Sequence, residues 1–367
     1  MSFSSIGTYA CRALQQKLID YYGANTAEMK TMGSSALLRY LLSPQNTRGF
    51  RQIADGITTT VPGKKRAVAF ALDNPFCFDV CAIADVTCET ERTALDNPTQ
   101  EVVFDFTGPA FRVCDDEGLP LRLEFTREQL SKYCTDTDTE YITRQIARFN
   151  KRFIEALDKR MGELLETMVG TNADGANVSS LPFFVNTSMG LQTINPEAFW
   201  FLNQLYSDIG GEGQYALVGG KVLNKIITFQ KWANLADVGL DLGAIEDINP
   251  FSYYDRFLDA TIGINNFFQL SPGAVQLVPF VENIGENNRE VTDLYTHSTF
   301  VDPFTGLEID YEWYFEPKCK VWTYEPHSFL QLAVARPGGC GLPGSNGVLL
   351  IEDCSAGATP PTCPDSV

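Results

Sequence analysis

Apolar residues recur through Tyr141–Gly170 at Ile142, Ile146, Phe149, Phe153, Leu157, Leu164 and Met168. Their mean step is about 3.7 residues, longer than the 3.5 of a coiled coil. The pattern predicts one uninterrupted helix of about 42 Å, with an apolar stripe running nearly straight along one side. Such a helix lies on a flat surface, expected to be a sheet, and leaves its back free. Thr137 and Glu140 stand in capping-box positions before it, and Thr126 and Gln129 form a similar pair upstream. Gly170 is placed to stop it.

On either side the pattern changes. Residues 1–50 read as helical pieces joined by loops, more arm than domain, with Ala10, Leu14, Leu18 and Tyr21 near one face of the first. Over 51–125 the period becomes two. Val68, Phe70 and Leu72 alternate, as do Leu121, Leu123 and Phe125, with turns at Pro62-Gly63 and Asp115–Gly118. This predicts long extended strands with few core positions. Downstream the text is mixed. Asn195-Pro196-Glu197 is a helix start, "YALVGG" a short buried strand, "KVLNKIITFQKW" a helix, and "NNFFQLSPGAVQLVPF" two strands about a Pro-Gly turn. The clearest hairpin has Ile309, Tyr311, Trp313 and Phe315 alternating, a turn at Glu316-Pro317-Lys318, and a return from Val321. Neither an internal repeat nor a Ser/Gly linker is present. The fold class expected is α+β.

Composition agrees with a folded chain: 367 residues, 44% hydrophobic and 20% charged. No run approaches the ~20 apolar residues of a bilayer span. The first residues lack the basic head and apolar middle of a signal peptide, so a cytoplasmic protein is expected. Net charge is −18 and unevenly placed: 20 Lys/Arg face 23 Asp/Glu over 1–170, against 8 and 23 over 171–367. A general nucleic-acid binder would be basic. Strong negative charge favours solubility at high concentration.

The chemical motifs are weak. There are ten cysteines and two histidines. Cys77, Cys81 and Cys88 do not have the paired spacing of a structural zinc site, and mixed Cys/His sites are hard to build with so few histidines. Most cysteines are expected to be reduced thiols. The exceptions are Cys340, Cys354 and Cys363, candidates for a disulfide in a Gly/Pro-rich tail. Gly211–Ala216 spells a dinucleotide fingerprint, but it follows a helix and opens a strand, the reverse of the order that chemistry needs. "PGKKR" and "GGKVL" lack the ending of a phosphate loop. No nucleophile elbow or HExxH is present. The 46 acids are scattered, and nothing selects two as a catalytic pair. No enzymatic activity and no cofactor are expected.

Two basic features stand out. Lys64, Lys65 and Arg66 form a compact basic turn, either a solvated hairpin tip or a contact with an acidic neighbour. Arg144, Arg148 and Arg152 stand at i, i+4 and i+8 with Lys151 beside them. Like charges at that spacing repel, and the helix dipole disfavours cations in an N-terminal half. Glu155 is placed to relieve Lys151 and Arg152. The row is either a solvated face or a contact with an external anion, such as an acidic surface of another subunit or packaged DNA.

The order of parts resembles the major capsid protein of tailed phages, the Hong Kong 97-like fold. The resemblance is carried by an arm, an extended excursion, the helix at Tyr141–Gly170, the phrases "YALVGGKVLNKIITFQKW" and "LSPGAVQLVPF", and a late hairpin. It implies an N-terminal arm (1–50), an extended β-hairpin loop (51–125), a spine helix with the start of the peripheral domain (126–174), an axial domain (175–300), a peripheral-domain hairpin (301–338) and a C-terminal extension (339–367), expected to be exposed. It also implies arm and loop reaching over neighbouring subunits, and self-assembly into pentamers and hexamers around double-stranded DNA in a virion built in the host cytoplasm. A portal, a separate scaffold protein and a decoration protein are the further partners expected, with no membrane. No crosslinking Lys or Asn can be matched. An encapsulin-like nanocompartment shares the implied fold. A different virion protein would show repeats or long β-rich stretches, and an α/β enzyme would need the chemistry missing above.

Overall fold

The computed structural model describes residues 16–26, 35–44, 46, 50–52, 67–73, 99–105, 121–126, 138–186, 192–209, 214–235, 251–280, 290–291, 295–334 and 346–355. The protein mixes helix and sheet, as the patterns predict. Asp138–Thr167 is a single helix of 30 residues. Ile142, Ile146, Phe153 and Leu157 are buried, and Phe149 and Leu164 are half-buried against the core. Ala147, Ile154, Met161 and Leu165 are buried as well. The covered face is therefore wider than the predicted stripe, because the helix meets two different surfaces.

Its N-terminal half lies on an antiparallel sheet. The strand order is Glu290–Val291, Tyr295–Val301, Glu308–Glu316, Val321–His327, Leu123–Thr126. The predicted hairpin is the centre of this sheet, with Glu316 opposite Val321. Alternation puts Tyr311 and Trp313 on the helix side with Trp322, Tyr324 and Phe125, all buried. Trp313 stacks on Trp322 at 5.6 Å, and Phe149 meets Tyr324 edge-on at 6.4 Å. The Tyr324 hydroxyl donates to Asn150 Oδ1 at 2.7 Å, satisfying two buried polar groups across the helix–sheet boundary.

The C-terminal half of the helix meets the short helices Ala36–Leu41 and Leu258–Ile262. Gly162 permits the second crossing, since a Cβ there would sit 2.6 Å from Leu258 Cδ2. Gly170 has a related role. It is not a left-handed cap. Its N–H donates to Val348 O at 2.9 Å, Asn346 Nδ2 closes the helix end on Met168 O at 2.7 Å, and any Cβ at 170 would overlap Asn346.

Beyond lies a mixed sheet ordered Val178–Leu181, Val348–Asp353, Asn266–Leu270, Ala216–Gly219, Phe251–Tyr254. Its outer pairs are parallel. Helices Pro196–Asp208 and Lys221–Leu235 pack against it. Asn195 caps the first by accepting from Glu197 N, as its sequence predicts.

Two expectations are corrected. Val348–Asp353 falls in the tail expected to be an exposed extension, yet it is a buried strand next to the centre of the mixed sheet. Tyr295–Val301, assigned to a compact unit over 175–300, pairs with the hairpin instead. The two strands expected about Pro272-Gly273 are both present, and each joins a different sheet. Asn266–Leu270 joins the mixed sheet, while Val275–Phe280 pairs with Phe329–Val334. A further sheet, Phe50–Gln52, Ala67–Asp73 and Thr99–Asp105, is antiparallel throughout. Among the described residues no helix is long and apolar enough to cross a membrane.

Candidate functional site

The long helix is where the other parts converge, and its contacts with the N-terminal segment are the most specific. Residues 16–24 are helical. Leu18 and Tyr22 are buried, and the Tyr22 hydroxyl donates to Ala147 O at 3.3 Å while its ring stacks on Phe300 at 5.6 Å. Ala36–Leu41 is almost wholly inside the core. Asn46 fixes the end of the segment. Its side chain donates to Leu41 O and Val275 O and accepts from Gly273 N, at 3.0, 2.7 and 3.2 Å. These parts of the arm are strapped to their own chain.

The short helix Ala36–Leu41 has no cap of its own: Ser35 is left-handed (φ 56°) and makes no side-chain cap bond. Two distant carboxylates supply the cap. Asp255 Oδ2 accepts from Ala36 N at 2.8 Å and Leu37 N at 3.1 Å, and its Oδ1 accepts from Phe257 N at 3.0 Å. Asp158, on the long helix, accepts from Leu38 N at 2.9 Å. Neither carboxylate has any solvent exposure. Burial, then the hydrogen bond and charge of Asp255, push the Asp158 carboxyl well above its usual range. The Asp158 carboxyl therefore holds its proton more tightly than a free one does, with Asp255 beside it. Two acids this close would repel as a charged pair, which favours the protonated form of Asp158.

The sequence offered no reason to select these two acids. The signal lies in the wheel: Asp158 falls among Ile154, Met161 and Leu165, an acid inside a buried stripe. Sealed from solvent and committed to backbone N–H groups, the pair is a structural latch.

The basic row lies on the other side of the helix. Arg148 and Arg152 are exposed, and Arg144 and Lys151 are half-buried. The Arg144 guanidinium lies 6.0 Å from the Tyr141 ring. Glu155, expected to relieve Lys151 and Arg152, instead pairs with Arg256 at 3.3 Å. Lys64, Lys65 and Arg66 lie outside the described residues. Cys354 is disulfide-bonded, its partner lying outside the described residues, as do Cys340 and Cys363.

The segment spelling a dinucleotide fingerprint leads from a helix into the strand Ala216–Gly219. The start of the next helix already has an anion: Asp259 Oδ1 accepts from Lys221 N at 2.9 Å. A phosphate would find that position filled.

No family model matches the sequence, and no curated protein matches it. Among solved structures, one similar chain is a phage-related protein from Bordetella bronchiseptica RB50. It is 10% identical, and the match covers 88% of this chain and 98% of that one with a TM-score of 0.38. Another belongs to the satellite phage P4 procapsid including its size-determination protein, at 10% identity, 73% and 83% coverage and a TM-score of 0.27. Both are phage-associated structures.

Proposed function

We propose that the chain is a major capsid protein of a tailed phage, with the Hong Kong 97-like fold. In this reading Asp138–Thr167 is the spine. The hairpin sheet is the peripheral domain and the mixed sheet the axial domain. The chain is structural, not catalytic. It associates with itself into pentamers and hexamers around double-stranded DNA, with a scaffold protein, a portal and a decoration protein as further partners.

One observation carries the reading: a single helix bridges two separate sheets, holding one by its N-terminal half and the other by its C-terminal end. A helix that ties two sheets together in this way suits a wall built from repeated copies. Three features add support. The Phe50–Asp105 strands pair among themselves as an excursion would. Trp200 and Phe201 stand 60% and 41% exposed with their rings 5.1 Å apart, an aromatic pair that a neighbouring copy would cover. Arg148 and Arg152 offer positive charge on a chain of net charge −18.

Mass photometry of the purified chain across a concentration series tests this. The expected species are fivefold and sixfold oligomers growing toward a closed particle. A population that stays monomeric or dimeric at the highest concentration rejects it.

A further inference from the structure

The hairpin sheet has a second face, turned away from the long helix, and it carries both histidines of the chain. His297 stands on Tyr295–Val301, His327 ends Val321–His327, and Asp310 lies on the strand between them. Asp310 is directly opposite His327, while His297 is opposite Glu312, two residues along from Asp310 on the same face. The imidazoles lean toward each other, with ring centroids 5.4 Å apart. His297, Asp310 and His327 are 4%, 2% and 2% exposed, and one ligand atom from each lies within 4.8 Å of the other two.

Three titratable groups rarely share a dry place without a reason. Two imidazole nitrogens and a carboxylate oxygen are the donor set of borderline divalent ions. A tetrahedral ion with bonds of about 2.0–2.1 Å holds its donors roughly 3.4 Å apart. Closing the widest gap to that spacing needs a shift of little more than an ångström, which side-chain torsions supply while the strands stay fixed. Asp310 also has the supporting bond such ligands use: the Thr299 hydroxyl donates to its Oδ1 at 2.8 Å. Glu312 and Glu325 occupy the neighbouring positions on the same face.

We propose that His297, Asp310 and His327 bind one divalent transition cation of the zinc class, clamping three adjacent strands. The proposal stands on these residues and does not depend on the capsid reading.

Metal-stripped full-length protein titrated with Co²⁺, and with Zn²⁺ followed by elemental analysis, tests it. One equivalent per chain is expected, with a cobalt spectrum of nitrogen and oxygen ligation lacking the thiolate charge-transfer band that the ten cysteines would give. His297→Gln and Asp310→Asn should each weaken binding at least tenfold, and Thr299→Val by roughly tenfold as a supporting-bond variant. Because the chain has two histidines, both here, the ¹⁵N imidazole signals of the wild-type protein must shift on adding Zn²⁺, a readout that needs no variant. Absence of that shift, a thiolate spectrum, or binding unchanged in His297→Gln overturns the proposal.

Discussion

Replacing Asp255 with Ala removes the acceptor for three backbone N–H groups, those of Ala36, Leu37 and Phe257. Two belong to a helix start whose own N-cap residue, Ser35, makes no side-chain cap bond. A buried donor left unmade costs about 1–3 kcal/mol, and loss of a capping residue about 1 kcal/mol. Water entering the space left by the carboxylate recovers part of this, so the expected loss is about 2–4 kcal/mol, a large share of the 5–15 kcal/mol of a typical domain. Asp255→Asn keeps one acceptor oxygen and should lose about half as much. Asp158→Asn behaves differently. Its amide oxygen can still accept from Leu38 N, and the neutral amide removes the like charge beside Asp255. The folded Asp158 binds its proton more tightly than the unfolded chain does. Its contribution to stability is therefore fully present below the ordinary carboxyl range and is lost as pH rises through the raised value. Asp158→Asn should abolish that pH dependence and be at least as stable as the wild type at neutral pH. Urea unfolding across a pH series gives the energies, and hydrogen exchange at Ala36, Leu37 and Leu38 gives the local effect. Asp255→Ala within 0.5 kcal/mol of wild type, about the scatter of surface changes, with those amides still protected, would refute the reasoning.

Further expectations concern other contacts. Gly162→Val should drive Leu258 away from the long helix and cost about 1–3 kcal/mol, read as a lower urea midpoint. Tyr324→Phe strands the Asn150 side chain and should cost about 1–2 kcal/mol in the same assay. Arg148→Gln with Arg152→Gln should change unfolding of the isolated chain by less than about 1 kcal/mol, since both side chains are exposed, while reducing particle yield by sedimentation. Trp200→Ser should likewise spare folding and slow assembly, followed by light scattering.

The parts legible in the sequence are those fixed locally. The 3.7-residue period announces the long helix, two-residue alternation announces the Glu308–His327 hairpin, and Asn195-Pro196 announces a helix start. What escaped depends on distant pairing. Val348–Asp353 joins Val178–Leu181 in parallel, and no local pattern encodes such a partner. Its run "VLLI" sits in Gly/Pro-rich text that reads as tail. Tyr295–Val301 does not announce its place beside the hairpin, because its inward positions, Thr296, Ser298 and Phe300, are mostly small and polar and hide the alternation. The carboxylate latch escaped because Asp255 caps residues 219 and 218 positions away. The His297–Asp310–His327 cluster escaped because two lone histidines give no motif until strand register brings them together.

The most direct test of the central claim is electron microscopy of the chain expressed alone. The account requires closed shells, or free rings of five and six copies, whose wall contains the Asp138–Thr167 helix. A compact monomer or dimer at high concentration would contradict it.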